Sequence, residues 1–213
     1  MRILIACEFS GTVRRAFRAR GHDAWSCDLL PAEDDDPHHL QADVNFVLNY
    51  PDRILGGQPR WMRAGEWDLL IAHPPCTYLT NAGARWLYGG KGTTRDPARW
   101  AAMEHAARFF EMLRTFRGIP KRAIENPIMH RHAREAADIP APSQIVQPWQ
   151  FGHGEVKATC LWLAGLPRLV PTEIVSGRIP RVHHESPGPE RWKARSRTYQ
   201  GLAEAMAEQW GGS

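Results

Sequence analysis

The stretch Trp67–Asn81, WDLLIAHPPCTYLTN, restricts the possible folds more than any other part of the chain. Trp67-Asp68-Leu69-Leu70-Ile71-Ala72 is a short apolar run without alternation, the pattern of a buried strand. It ends abruptly in His73-Pro74-Pro75. Two prolines in a row stop ladder pairing and bias the residue before each of them towards extended geometry, so Cys76 leaves a central strand on a stiff loop. In an open α/β sheet, ligands bind at such strand ends. Free cysteine is also among the most buried residue types, and taken alone Cys76 reads first as a packed thiol in a β–α turn.

Similar runs flank it. Arg2–Cys7 is a first strand, followed by the link Glu8-Phe9-Ser10-Gly11-Thr12 and a helix over Val13–Gly21, with Val13, Ala16 and Phe17 inward and the arginines outward. His22–Asp28 is a second strand that ends in an acid. In nucleotide-binding α/β folds such an acid takes ribose hydroxyls, while the glycine turn and helix N-terminus receive the rest of the cofactor. One glycine falls short of a full GxGxxG fingerprint. Further on, Asp96 and Pro97 open a long helix that ends near Arg117-Gly118 and turns Trp100, Met103, Ala107, Phe110 and Leu113 inward. Lys121–Pro127 is a strand, Met129–Ala137 a helix, and Gln144–Trp149 and Lys157–Leu163 are strands around the turn Phe151–Gly154. Thr198–Trp210 is a last amphipathic helix. The expected fold is α/β, a mostly parallel sheet with helices on both faces, in one domain over residues 1–213. Leu29–Gln41 reads as an exposed acidic loop, Tyr50–Glu66 as a connector, and the glycine-rich Thr77–Arg95 as a mobile loop over the site.

Composition narrows the function classes. Hydrophobic residues at 43% and charged residues at 23% are ordinary globular values. No apolar run spans a bilayer and Met1–Ala6 is too short for a signal peptide, so a cytoplasmic protein with no membrane partner is expected. Cys7, Cys27, Cys76 and Cys160 form no CxxC pair, which argues against a structural zinc site and against a disulfide framework. The net charge of +4 leans towards a polyanionic partner. Arg60-Trp61, Arg85-Trp86, Arg99-Trp100 and Arg191-Trp192 are candidate base-stacking pairs, although pair by pair a semi-buried tryptophan beside a solvated arginine is the better reading.

Two strand ends carry chemistry: Pro74-Pro75-Cys76 and Glu125-Asn126-Pro127. A thiol and a carboxyl group at neighbouring strand tips, beside a nucleotide-binding turn, suit addition to C6 of a pyrimidine. A thiolate at C6 makes C5 enamine-like, provided an acid protonates or hydrogen-bonds N3 as charge develops there.

With those residues in place, the chain resembles the cytosine-C5 DNA methyltransferases, which use S-adenosylmethionine on a Rossmann-like sheet. Pro74-Pro75-Cys76 resembles the family's nucleophile motif, and Glu125-Asn126 the motif whose Glu engages cytosine N3. Glu8-Phe9-Ser10-Gly11 is similar to the first cofactor motif, with Phe9 towards the adenine. Asp28 matches the acid for the ribose and Asp43 the acid for the adenine amino group. Arg197–Gly201 resembles the entry to the closing motif, and the motifs run in family order along nearly the whole chain. The resemblance implies Cys76 as nucleophile, Glu125 as N3 acid, and Asn126 and Pro127 as supports of the strand tip. It implies a cofactor pocket of Phe9, Ser10, Gly11, Asp28, Asp43 and Pro74, and DNA whose cytosine is flipped into the site.

The chain departs from the family in four places. The first motif has a single glycine, and Pro127 stands where valine is common. In the family's Gln-x-Arg-x-Arg motif only Lys157 keeps a positive charge, which leaves Lys157 and Thr159 to contact the base or its phosphate. Only Ala164–Ser196 is available for target recognition. Short or relaxed sequence specificity is therefore expected, with backbone affinity from Arg191–Arg197 and room for a separate specificity partner. Two other readings stay open: C5 chemistry on a free pyrimidine nucleotide or with a modified electrophile, and a non-catalytic DNA- or cofactor-binding protein of the same fold.

Overall fold

The apolar strands are buried on both faces by simple alternation. In the computed structural model, which describes residues 1–49, 67–89, 94–180 and 191–212, Ile3 and Ile5 pack into one core while Leu4 and Ala6 pack into another. Leu69 and Ile71 split from Leu70 and Ala72 in the same way. The strands of the main sheet are β1 (Arg2–Ala6), β2 (Asp23–Asp28), β3 (His39–Gln41), β4 (Leu69–Ala72), β5 (Lys121–Pro127), β6 (Gln144–Val146) and β7 (Thr159–Ala164). The seven strands stand in the order β3-β2-β1-β4-β5-β7-β6. β7 runs antiparallel to both its neighbours and the other pairings are parallel. This is the expected α/β fold, a mostly parallel, doubly wound sheet.

The helices are α1 (Thr12–Ala19), α2 (Val44–Asn49), α3 (Asn81–Ala84), α4 (Pro97–Thr115), α5 (Arg131–Ala136), α6 (Arg191–Ser196) and α7 (Gln200–Gly211). α1 and α7 cover one face through Val13, Phe17, Leu202, Met206 and Trp210. α2, α4 and α5 cover the other through Val44, Val47, Met103, Phe110 and Ala133. Burying one large apolar side chain contributes about 1.5–3 kcal/mol, so Phe17, Phe110 and Trp210, all 0% exposed, anchor their helices firmly. α4 starts as its sequence dictates: Asp96 accepts a hydrogen bond from the Arg99 amide at 3.0 Å, with Pro97 in the first turn.

Three expectations are corrected. β3 falls inside the stretch expected to be an acidic loop, because Ser26, Cys27 and Asp28 of β2 pair with His39, Leu40 and Gln41. In the stretch read as a mobile loop, the described residues form α3, a 3-10 turn at Arg85–Leu87, and a ribbon pairing Tyr88 and Gly89 with Arg95 and Thr94. Gly83 packs so closely on the Thr77 carbonyl that a Cβ there would collide with it. Finally, the proline-rich stretch from Gly165 to Arg197, whose sequence reads as irregular, holds the helix α6. The Tyr50–Glu66 connector and the Arg60-Trp61 pair lie outside the described residues.

Candidate active site

The strand order reverses between β1 and β4, so their connections leave towards opposite faces and open a crevice at the C-terminal ends. A narrow cleft there is lined by Cys7, Glu8, Phe9 and Ser10 after β1 and by His73 after β4. Ser196, Arg197 and Thr198, the strap between α6 and α7, lie across it.

On the β1 side the turn is held by charge. The Glu8 carboxylate, 5% exposed, accepts hydrogen bonds from the amides of Val13 at 2.7 Å and Arg14 at 3.2 Å, so it occupies the N-terminus of α1. Burial pushes its pKa up against the lowering pull of His73, those amides and Arg14. Gly11 has φ 68° at the helix start, and a Cβ there would meet Arg14, Asp34 and Arg15. Arg14, expected to face outward, is 0% exposed. Its guanidinium donates to Ser26 Oγ and to both Asp34 oxygens, each at 2.6 Å, with Asp36 at 3.7 Å. Arg15 reaches Asp34 at 2.5 Å. The acidic segment is therefore clamped onto α1 rather than merely solvated. Arg197 pairs with Glu33 at 2.6 Å and ties the strap to the same segment.

The other expected cofactor residues sit at the neighbouring strand tip. Burial pushes the Asp28 carboxyl up, partly offset by its hydrogen bond from the Leu30 amide at 3.0 Å. Leu29 beside it is 71% exposed, an apolar surface next to a carboxylate. Asp43 is exposed and accepts from the Asn45 amide at 2.8 Å and side chain at 3.1 Å, so it serves the start of α2. Phe9 and Ser10 line the cleft, and the Ser10 hydroxyl lies 3.2 Å from that of Thr12. Pro74 is buried, and its carbonyl accepts from the Asn126 side chain at 3.2 Å. Asn126 thus ties the β5 tip to the loop that carries Cys76.

On the β4 side stand a thiol, a carboxyl group and an imidazole. Cys76 is partly exposed and opens a turn in which its carbonyl accepts from the Leu79 and Thr80 amides. His130 secures that turn: its amide donates to Leu79 O at 2.9 Å, and its Nε2 donates to Tyr78 O at 2.9 Å. Glu125, 15% exposed at its side chain, accepts from His73 Nδ1 at 3.2 Å. Burial raises its pKa, yet the hydrogen bond from His73 Nδ1, the charge that ring carries when it is protonated, and Lys157 together outweigh burial and leave it below the usual glutamate value. Burial raises the Cys76 thiol and Glu125 raises it further, while Lys157 and Arg195 pull it part of the way back and leave it above the ordinary cysteine value.

Among the described residues that balance sets Cys76 apart from the other thiols. Burial and nearby acids or thiols raise Cys7, burial with Asp28 and Asp43 takes Cys27 to about 12, and burial with Glu125 takes Cys160 to about 11. No cation pulls any of those three down. Lys157 holds its place by donating from Nζ to the Arg195 carbonyl at 2.8 Å and standing 5.8 Å from the Tyr199 ring. Thr159 is 4% exposed, and its hydroxyl donates to Lys157 O.

The structure therefore gathers Cys76, Glu125, Asn126 and Lys157 around the tips of β4 and β5. It gathers Phe9, Ser10, Gly11 and Asp28 around those of β1 and β2. His73 and Arg14 escaped the sequence reading as site residues, while Glu8 entered it only as part of the cofactor motif and Arg195 only within the Arg191–Arg197 segment. The signal for Arg14 was the run Glu33–Asp36, which needs cations nearby; His73 was visible only as the residue before two prolines. Of the arginine–tryptophan pairs, Arg85 stacks on the 56% exposed Trp86 at 4.7 Å. Trp100 instead receives Arg95 at 4.2 Å and donates to Leu87 O. No helix among the described residues is long and apolar enough to cross a membrane.

No protein-family model matches the chain, and no curated protein does. Among solved structures, a triple mutant of Spodoptera frugiperda DNMT2 aligns over 84% of this chain with 13% identity and a TM-score of 0.43. The chain spans 57% of the length of that protein.

Proposed function

We propose that this protein is an S-adenosylmethionine-dependent methyltransferase acting on C5 of cytosine in DNA. The observation that carries the reading is the pairing of Cys76 with Glu125 across adjacent strand tips, with Lys157 and Arg195 countering the burial of the thiol. A thiol needs such cations to reach its nucleophilic form.

The residues around the cleft fit the cofactor by their donor set. Asp28 offers a carboxylate for vicinal hydroxyls, the exposed Leu29 an apolar face for a purine, and Phe9 and Ser10 the cleft wall. The N-terminus of α1 is taken by Glu8, so an anionic part of the cofactor belongs elsewhere. When bound, S-adenosylmethionine supplies an electrophilic methyl group.

The chain's own residues do the rest. Cys76 Sγ, as thiolate, forms the bond to C6 while the protonated form of Glu125, a minority form because His73 and Lys157 hold its pKa down, gives its proton to N3, which places electron density on C5. After C5 has taken the methyl group, its proton passes to solvent, the C5–H electron pair restores the C5–C6 double bond as Cys76 leaves as thiolate, and N3 returns its proton to Glu125. Asn126, through the Pro74 carbonyl, keeps the two strand tips in register. Lys157 supports the thiolate and lies near the position of a phosphate or base.

Residues 165–180 favour relaxed recognition. They lie on the sheet's own edge loops, with Glu173 bridged to Phe151, Ile179 to Glu155, and Arg178 stacked on Trp149 at 3.7 Å. Specificity then comes from little surface or from a separate partner. The test is to incubate the protein with S-adenosylmethionine and DNA containing 5-fluorocytosine, which cannot lose the C5 substituent. A covalent adduct at Cys76, located by peptide mass spectrometry, is expected. Turnover of cytidine monophosphate instead of DNA would move the activity to a free nucleotide.

A further inference from the structure

The residue between the two halves of the site is His73. Its ring, 7% exposed, lines the cleft with Phe9, Ser10 and Arg197, while its Nδ1 lies 3.2 Å from Glu125 Oε2. Its Nε2 is buried and has no hydrogen-bond partner among the described residues. The ring has little freedom to find one. The His73 amide extends the ladder to Ala6 O at 2.9 Å, and the next residue is Pro74, whose carbonyl is held by Asn126. A buried ring nitrogen left without a partner is costly unless a ligand supplies one.

We propose that His73 is the positioning residue of this site: Nδ1–H fixes one oxygen of Glu125, and Nε2 accepts a hydrogen bond from a hydroxyl or ammonium group of the cofactor in the cleft. This rests on the reading of Cys76 and Glu125 given above. With Nδ1 donating, the neutral ring presents a bare lone pair at Nε2. The charged and titratable groups facing it are Glu125 from β5, Glu8 and Cys7 from the turn after β1, Lys157 beyond Glu125, and Arg197 on the strap. When Glu125 protonates N3, its O–H bond breaks and an N3–H bond forms, and His73 keeps its own proton. The new carboxylate already has an aligned donor, which makes Glu125 the stronger acid at that moment. Cleft occupancy and the acid are thereby coupled through one ring.

The two nitrogens separate by substitution, because an Asn amide reaches about as far as Nδ1 and a Gln amide about as far as Nε2. Wild type, His73→Asn and His73→Gln are compared by calorimetry with S-adenosylhomocysteine, and by the rate of Cys76 adduct formation on 5-fluorocytosine DNA across pH. His73→Asn is expected to weaken binding roughly 10-fold and to leave the adduct rate within about 3-fold. His73→Gln is expected to keep the affinity and to slow the adduct roughly 10-fold or more. It also moves the alkaline limb to higher pH, because Glu125 loses the group that holds its pKa down. Equal effects of both variants on both readouts, or an unmoved alkaline limb in His73→Gln, overturn the assignment while a wild-type adduct upholds the methyltransfer reading. No adduct from wild type overturns both.

Discussion

The two lips of the cleft are built from the same unit, a buried parallel strand followed by a turn, yet they use their polar groups differently. After β1 the charges close on one another, Glu8 on the start of α1, Arg14 on Ser26 and Asp34, Arg197 on Glu33, although Arg14 Nε is itself buried without a hydrogen-bond partner among the described residues. After β4 they stop one partner short. Among the described residues, His73 Nε2 and Asn126 Oδ1 are buried without hydrogen-bond partners, and the Cys76 thiol stands near an acid and two cations. A buried charge closed on its partner holds a fold together, whereas an incomplete polar set leaves room for a ligand to complete it.

The sharpest way to break that contrast is Cys76→Ser. Methyl transfer should fall about 10³-fold or more while the melting temperature stays put, measured with labelled cofactor and by circular dichroism. Retained transfer would strip the β4 lip of its assigned chemistry. The converse holds for Asp34→Ala, which leaves the fully buried Arg14 guanidinium with only the more distant Asp36 carboxylate at 3.7 Å. It should cost about 3 kcal/mol, or a melting temperature lower by about 6–12 °C. Burial raises the Asp34 pKa, but Arg14 and Arg15 overcome it and leave the carboxyl below its usual value. That contribution is present above pH ~4 and is lost as pH falls through the lowered pKa, so wild type and variant should converge in acid.

Lys157→Ala removes one of the cations that lower the Cys76 thiol. The rising limb of the activity profile should move to higher pH, with a rate near neutrality lower by about 10-fold. A profile that keeps its position would separate Lys157 from the thiol. The smallest effect belongs to Arg197→Ala. Its ion pair with Glu33 is about half exposed on the arginine side and contributes under about 1 kcal/mol. Melting should hardly change, while S-adenosylhomocysteine should leave the cleft several-fold faster in stopped-flow displacement, because the strap loses its tie.

Much of the fold was legible because its cues are local. Asp96-Pro97 announces a helix start, Pro127 ends a strand, and uninterrupted apolar runs at Ile3–Ala6 and Leu69–Ala72 indicate strands covered on both faces. The misreadings come from residues whose neighbours are distant in sequence. Helical spacing put Arg14 outside, but Ser26 and Asp34 make its burial tolerable. The glycines after Cys76 resembled a mobile loop, yet one of them, Gly83, permits α3 to pack directly on Thr77, and His130 from beyond β5 secures the turn.

Apolar periodicity, prolines and caps act over a few residues, so the chain alone reveals its candidate site groups and roughly where each strand ends. Only the tertiary structure decided which of four thiols lies near cations, which acid faces it, and that one histidine touches both sides of the cleft. The reason is that electrostatic environment depends on distances in space. Parallel pairing brings Ala72 beside Ile124, so that Cys76 and Glu125, 49 positions apart in the chain (125 − 76), share one site.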